Sequence, residues 1–566
     1  MAIAENVQLS RRGFLVKSGA GAVGAAALSV GVPLTAFGQM AGGNTLRVNL
    51  GSEPDSIDPG KASFVSEISV IMRVFRNLLM FDKDINIVPD QAAAMPTLDE
   101  GGAVLTFQLR DDITFSDGVP VTAQHFVDGW TRHLDPRTHG EYSFLGYIIT
   151  GGEELNTADV ATVGESGLNQ LRQALGVNAL GPNTLQFRLK SPAPWFLSVL
   201  ATWCGVPIRL DKVIAGNGGD PFADKWTEPA TYVGNGPYIL SEWEHQNRMK
   251  FRANPGFYCG VVPIAEIDAA MINEPAVSFA AYLNDEMDFA GVQTEDKPRV
   301  DSDPKLRAEF HQYAGSCTTY VGMNIARKPF DDTRIRRAVS FGLDRVSYVR
   351  NILGGRGIPA RQFLPPGFPG HYEFELEEQV FNPAVGQALM AEAGFPQGRG
   401  LPALKFGYSS SARNKTRVEA LAAQLKSAIG ITIEPDPIEA RAFSAAIKKP
   451  ETTPQMFLLG WCQDYPDPQN WYSTVWHSKS AIQHSAWNNA EFDFLTSVAD
   501  IHPEPAVRRE MYLKAGQILL NDVPAAMLVH SAEWILVKPR IKGFREDPLE
   551  YFVGEHDLYN FRIEGS

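Results

Sequence analysis

Gly460-Trp461-Cys462-Gln463-Asp464-Tyr465-Pro466-Asp467-Pro468 is the most informative stretch of the chain, and it is followed by further aromatics at Trp471, Tyr472 and Trp476. The apolar run Met456-Phe457-Leu458-Leu459 precedes it, so the pattern is that of a buried strand ending in a proline-rich turn. Continued alternation along an extended chain would send Cys462 and Asp464 to one face and Trp461 and Tyr465 to the other. A carboxylate at a strand end, among aromatics, is well placed to hold a cationic group. The same residue also suits the start of the Asp-Tyr-Pro-Asp-Pro turn, and composition alone leaves both readings open.

Outward from this stretch, the N-terminus reads as an address. Ser10-Arg11-Arg12-Gly13-Phe14-Leu15 with Lys17 matches a twin-arginine export signal, and a charge-free run of mostly Gly, Ala and Val follows it from Gly19 to Phe37. Residues 1–38 are therefore read as a cleaved signal, in preference to a membrane anchor. The run also spells GxGxxG from Gly19 to Gly24, but that fingerprint needs a preceding strand and a following helix N-terminus, and an export segment supplies neither. The first cysteine is Cys204, so no lipid anchor is expected at the mature N-terminus, and a Gram-negative periplasm is the expected home. A chain of 566 residues exceeds a single hydrophobic core, which stops growing near about 250–300 residues, so two or three lobes are expected. The net charge of −14 has no acidic blocks; it favours solubility and argues against nucleic acid as a partner. Four cysteines exclude a disulfide-dense scaffold.

Between the signal and the opening stretch the pattern is mixed α/β. Strands are read at Thr45–Leu50, Leu105–Leu109 and Thr184–Leu189, with a helix starting near Thr122. Further on, Asp332 caps a helix holding Ile335, Ala338, Val339 and Gly342 on one face. Asn382-Pro383 opens another helix that Gly394 closes. A third carries Val418, Leu421, Ala422, Leu425 and Ile429 before Gly430, and a strand resumes at Ile431.

Five segments in order carry a family resemblance: Phe115-Ser116-Asp117-Gly118-Val119-Pro120-Val121-Thr122-Ala123, Gly234-Asn235-Gly236-Pro237-Tyr238, Asn324 through Arg345, the opening stretch itself, and Val537-Lys538-Pro539. Together they resemble the family 5 extracytoplasmic solute-binding proteins of ABC importers, of the oligopeptide-binding type, over nearly the whole mature chain. The resemblance implies a two-lobed α/β periplasmic binding protein fold, type II-like (cluster C), with an extra small subdomain in the first lobe. The implied division is 39–75 plus 206–313 plus 531–566 for the first lobe, 76–205 for the subdomain and 314–530 for the second lobe. The chain would cross between lobes near Tyr313 to Cys317 and return near Ser531 to Trp534. The implied ligand is an oligopeptide or another amine-bearing small solute, and the implied partner is an inner-membrane ABC permease. No cofactor or metal is implied, and a monomer is expected.

The resemblance also assigns residues. Asp464 would bind the ligand's α-ammonium group, Gly460 and Cys462 would pair with its backbone, and Cys317 would form a disulfide with Cys462. Trp461, Tyr465 and Trp471 are either walls of side-chain pockets or simply core. Tyr142 and Val292 match, by position, a cleft tyrosine and a residue whose backbone meets the peptide. The chain departs from the family pattern where basic residues should meet the ligand carboxylate: Leu458 and Leu353 stand there, with Arg441, Lys448 and Lys449 nearby in sequence only. An oligosaccharide, a metal chelate or an opine is the alternative ligand class. An exported hydrolase is disfavoured, because no Gly-x-Ser-x-Gly, Ser-x-x-Lys, His-Glu-x-x-His or phosphate-loop motif occurs.

Overall fold

Thr45–Asn49 alternates polar and apolar residues, and in the computed structural model of the protein it is a strand with Leu46 and Val48 buried. Residues 44–371, 379–480, 482–546, 549 and 561–564 are described; the expected signal, with Arg11 and Arg12, lies outside them. This strand pairs in parallel with Glu266–Ala270, which continues antiparallel into Arg248–Ala253 and Tyr238–Glu244. A second, fully antiparallel sheet runs in the order Thr97–Asp99, Val104–Gln108, Thr184–Arg188, Val177–Gly181. Helix Ala123–Leu134 packs across it, capped at Thr122, whose backbone N–H donates to the His125 imidazole. The two sheets share one continuous core, in which Val48, Phe107, Trp130, Phe187, Phe196, Trp226 and Phe251 are buried. Residues 76–205 thus have a sheet of their own but no separate core.

The third sheet has seven strands, in the order Phe289–Gly291, Ala525–Val537, Phe310–Met323, Met456–Cys462, Leu404–Ser409, Ile433–Ile438, with Ile358–Pro359 pairing beside Ala525–Val537. Both faces are covered, and strand alternation sorts the side chains between them. Val321, Met456, Leu458 and Leu528 enter the core formed with helices Thr333–Phe341, Pro383–Glu392 and Ala412–Ile429. Their neighbours Tyr320, Phe457 and Met527 enter the opposite core, with Trp471, Trp476 and helices Ala490–Ile501 and Pro505–Asp522. Asp332, Asn382 and Gly430 cap their helices as their residue types dictate, Gly430 at φ +78°.

The two long strands carry the chain between these cores. Phe310–Ala314 pairs with Ala532–Leu536, the register breaks between Ala314 and Thr318, and pairing resumes from Thr318 against His530. Among the described residues no helix is long and apolar enough to cross a membrane. Two sequence expectations need adjustment. The strand expected from Ile431 begins at Ile433, where pairing with Leu404 starts, although Ile431 is buried in the same core. The alternation expected through Tyr465 stops at Cys462, where the strand ends.

Candidate functional site

Strand Met456–Cys462 lies antiparallel to Phe310–Met323 with Cys317 directly opposite Cys462, and their sulfurs are bonded. Its other edge pairs with Leu404–Ser409 only at Met456 and Phe457, so among the described residues Leu459–Cys462 has no strand partner on that side. Gly460 and Cys462 are exposed there. Cys204 and Cys259 are free thiols, the first buried and the second exposed.

Past Cys462 the chain turns, and Asn470 organises the turn. Its Oδ1 accepts from the Asp464 N–H at 3.0 Å and from the Trp461 indole N–H at 3.2 Å, while its Nδ2 donates to Asp464 Oδ2 at 2.9 Å. Trp461 and Asp464 are therefore brought together rather than to opposite faces. The turn's capping aspartate is Asp467, which accepts from the Gln469 N–H and is held by both terminal nitrogens of Arg508, at 2.9 and 2.8 Å. This leaves the Asp464 carboxylate free of any capping role. Asp464 Oδ1 instead accepts from the Tyr142 hydroxyl at 3.0 Å, across 322 positions of sequence.

The electrostatics of Asp464 differ from those of the aspartates paired with arginine, such as Asp467 beside it. It is 9% exposed, and burial pushes its carboxyl above the ordinary range, opposed by the hydrogen bonds from Asn470 and Tyr142. Among the described residues no cation forms an ion pair with it. Its hydrogen-bond donors among the described residues, Tyr142 and Asn470, are neutral. The Tyr142 phenol is in turn held protonated by burial and by the adjacent Asp464 charge. The Tyr142 carbonyl accepts from His133 Nε2 at 3.3 Å, and burial lowers the His133 pKa to about 4, so that ring is neutral at physiological pH. A cavity of about 20 Å³ opens beside Asp464, walled by Ile68, Met72, Phe81, Ala201 and Trp203.

The remaining candidates separate. Tyr465 stacks on Trp195, centroids 5.7 Å apart and planes 19° apart, and is buried in the core of the first two sheets. Trp471 packs edge-on against Phe363 in the core of the large sheet. The Val292 N–H donates to Trp534 O at 2.9 Å, and its side chain is buried in a small apolar cluster with Trp534 and Leu536. That N–H is already committed within the protein. Leu458 and Leu353 belong to a helical core, and Lys448 and Lys449 are exposed. The side chain of Arg441 lies outside the described set. Sequence reasoning missed Asn470, Trp195 and Trp203. Asn470 had a signal, a polar residue fixed inside an aromatic run, whereas the other two come from segments with no motif.

A fold of this kind, closing a buried carboxylate and an open strand edge between separate cores, defines a solute-binding protein. The profile of the bacterial extracellular solute-binding proteins, family 5 Middle, matches residues 86–483. The chain belongs to that family. It is 27% identical over 515 residues to the oligopeptide-binding protein OppA of Bacillus subtilis, covering 89% of this chain and 90% of that one. It is equally 27% identical, over 521 residues, to the probable deoxycholate-binding periplasmic protein YgiS of Escherichia coli, covering 91% and 93%. The unliganded open form of the periplasmic murein tripeptide binding protein MppA superposes with a TM-score of 0.79 at 24% identity, covering 92% and 98%. That likeness establishes the two-lobed fold.

Proposed function

We propose that this protein captures oligopeptides by their α-amino end and backbone and delivers them to an ABC permease in the inner membrane. The observation that carries this reading is Asp464, a buried carboxylate whose donors among the described residues are neutral, beside a strand edge with no partner strand among those residues. An ammonium group would supply the missing charge in a site from which water is largely excluded, where such a bond is strongest. The open edge of Leu459–Cys462 would accept a peptide as an added strand, giving affinity that does not depend on ligand sequence. A steroid anion of the kind named for the deoxycholate-binding relative carries hydroxyl donors but no cation to offer Asp464, and its own carboxylate would be repelled there.

The reading is one of binding and transport rather than catalysis, with the ligand leaving unaltered. It includes the lobe and subdomain division given above, with 314–530 as the second lobe, and export to the periplasm through Arg11 and Arg12. Calorimetry with trialanine and with deoxycholate tests the ligand class: trialanine should bind and deoxycholate should not, and the opposite pattern would remove the peptide reading. Replacing both arginines with lysine should leave the precursor in the cytoplasm; normal export of that variant would contradict the twin-arginine route.

A further inference from the structure

A second cavity, of about 700 Å³, shares no lining residue with the one beside Asp464. Its volume lies in the range of small-molecule sites. Its walls come from helices Ala123–Leu134, Val160–Gln173 and Leu210–Gly216 and from the loop through Pro221 and Phe222. Three arginines line it, yet each is already engaged by carboxylates. Arg132 is held by both oxygens of Asp58. Arg137 and Arg172 close a ring with Asp135 and Glu165, each arginine donating to both carboxylates. An anion would have to displace Asp135, which is 1% exposed. Asp128 is the opposite case. Its carboxylate accepts from Gln124 Nε2 at 2.8 Å, and among the described residues no cation pairs with it. Burial holds its carboxyl above the ordinary range, because no positive charge offsets the loss of water.

Leu210, Ile214, Pro221 and Phe222 supply the apolar part of the wall, and Ile214 is exposed. The Arg137 guanidinium lies over the Phe222 ring, 3.9 Å from its centroid, and holds that ring in the wall. We propose that this cavity is a second binding site of the protein, for a small organic cation whose ammonium group pairs with Asp128 while its apolar body lies against Leu210, Ile214 and Phe222. The exposed Asp220 also borders the cavity and adds to its negative field. A metal ion fits less well, since a single carboxylate supplies too few ligands, and no group of three or more His, Cys, Asp or Glu side chains able to hold one occurs among the described residues. An ammonium needs only the carboxylate and an apolar surface for its body.

The test is a titration of the full mature protein, methyl-labelled at isoleucine and leucine, with phenethylammonium and with the neutral phenethyl alcohol, followed by NMR. The amine should shift the Ile214 and Leu210 methyl signals saturably. It should bind at least about tenfold more tightly than the alcohol, the worth of a hydrogen bond to a charged group. Asp464→Asn removes the carboxylate proposed to anchor peptides and should leave that preference intact. Asp128→Asn keeps the side chain's shape without its charge and should remove the preference. If Asp128→Asn does not fold, the preference and the methyl shifts in wild type and Asp464→Asn decide alone. Equal affinity for amine and alcohol, unmoved Ile214 and Leu210 methyl signals, or a preference lost in Asp464→Asn or kept in a folded Asp128→Asn would overturn the site.

Discussion

Buried carboxylates in this protein come in two kinds. Asp58 lies between Arg132 and the Trp226 indole, Asp90 against Arg76 and Asp467 against Arg508, so each has its charge met inside the protein. For Asp58, burial opposes the charged form, but Arg132 outweighs it and holds the carboxyl below its ordinary range. Asp464 and the partly exposed Asp500 are of the other kind: among the described residues their hydrogen-bond donors are neutral. Asp500 accepts from Ser473 and Tyr512, and burial raises its pKa to about 7 despite those bonds. A folded pKa above the unfolded one means the native state binds the proton more tightly. Stability from this group is therefore full below about pH 4 and falls as pH rises through about 7. Asp500→Asn should abolish that slope, leaving the variant more stable than wild type at pH 8 relative to pH 5 by about 1–2 kcal/mol. Urea unfolding of both proteins at the two pH values checks it, and parallel pH profiles would contradict it. The two kinds were not distinguishable in the sequence, because the arginines that separate them lie as far away as the 74 positions between Asp58 and Arg132.

At the scale of elements, what was legible was local. Asp332, Asn382 and Gly430 announced helix ends because capping is decided by one residue's side chain or its tolerance of positive φ. Strand positions were legible where alternation met two apolar layers, as at Met456–Leu458. What was not legible begins at Cys462, where the strand ends and Asn470 gathers Trp461 and Asp464 onto itself. Periodicity says nothing of such a turn, since hydrogen bonds rather than burial set its geometry. The Cys317–Cys462 bridge fixes the strand two residues before the proposed anchor and closes a loop of 145 residues. Replacing both cysteines with serine should lower stability by about 2–4 kcal/mol, because the unfolded chain regains loop entropy. Denaturant titration of the two proteins under oxidising conditions measures it, and an unchanged midpoint would show that the bridge contributes nothing.

At the scale of the whole molecule, separate cores meet through a few side chains. Tyr142 reaches Asp464, and Tyr465 inserts against Trp195 in the core shared by the first two sheets. The long strands Phe310–Met323 and Ala525–Val537 connect the cores, and a ligand held at Asp464 would bear on both sides of that junction, the arrangement used for closure around a solute. The two-lobed fold followed from motif resemblance, since no pattern in the chain predicts which sheets share a core. The Trp195 and Trp203 contributions were hidden for the same reason. The central claim, that Asp464 receives a ligand ammonium, is tested most directly by calorimetry on wild type and Asp464→Asn with trialanine and N-acetyl-trialanine at neutral pH. Either change alone should cost about 2–5 kcal/mol, roughly thirtyfold to several thousandfold in affinity. The two together should cost little more than one, because both remove the same contact. Equal affinity of the wild type for the free and acetylated peptides would contradict the claim.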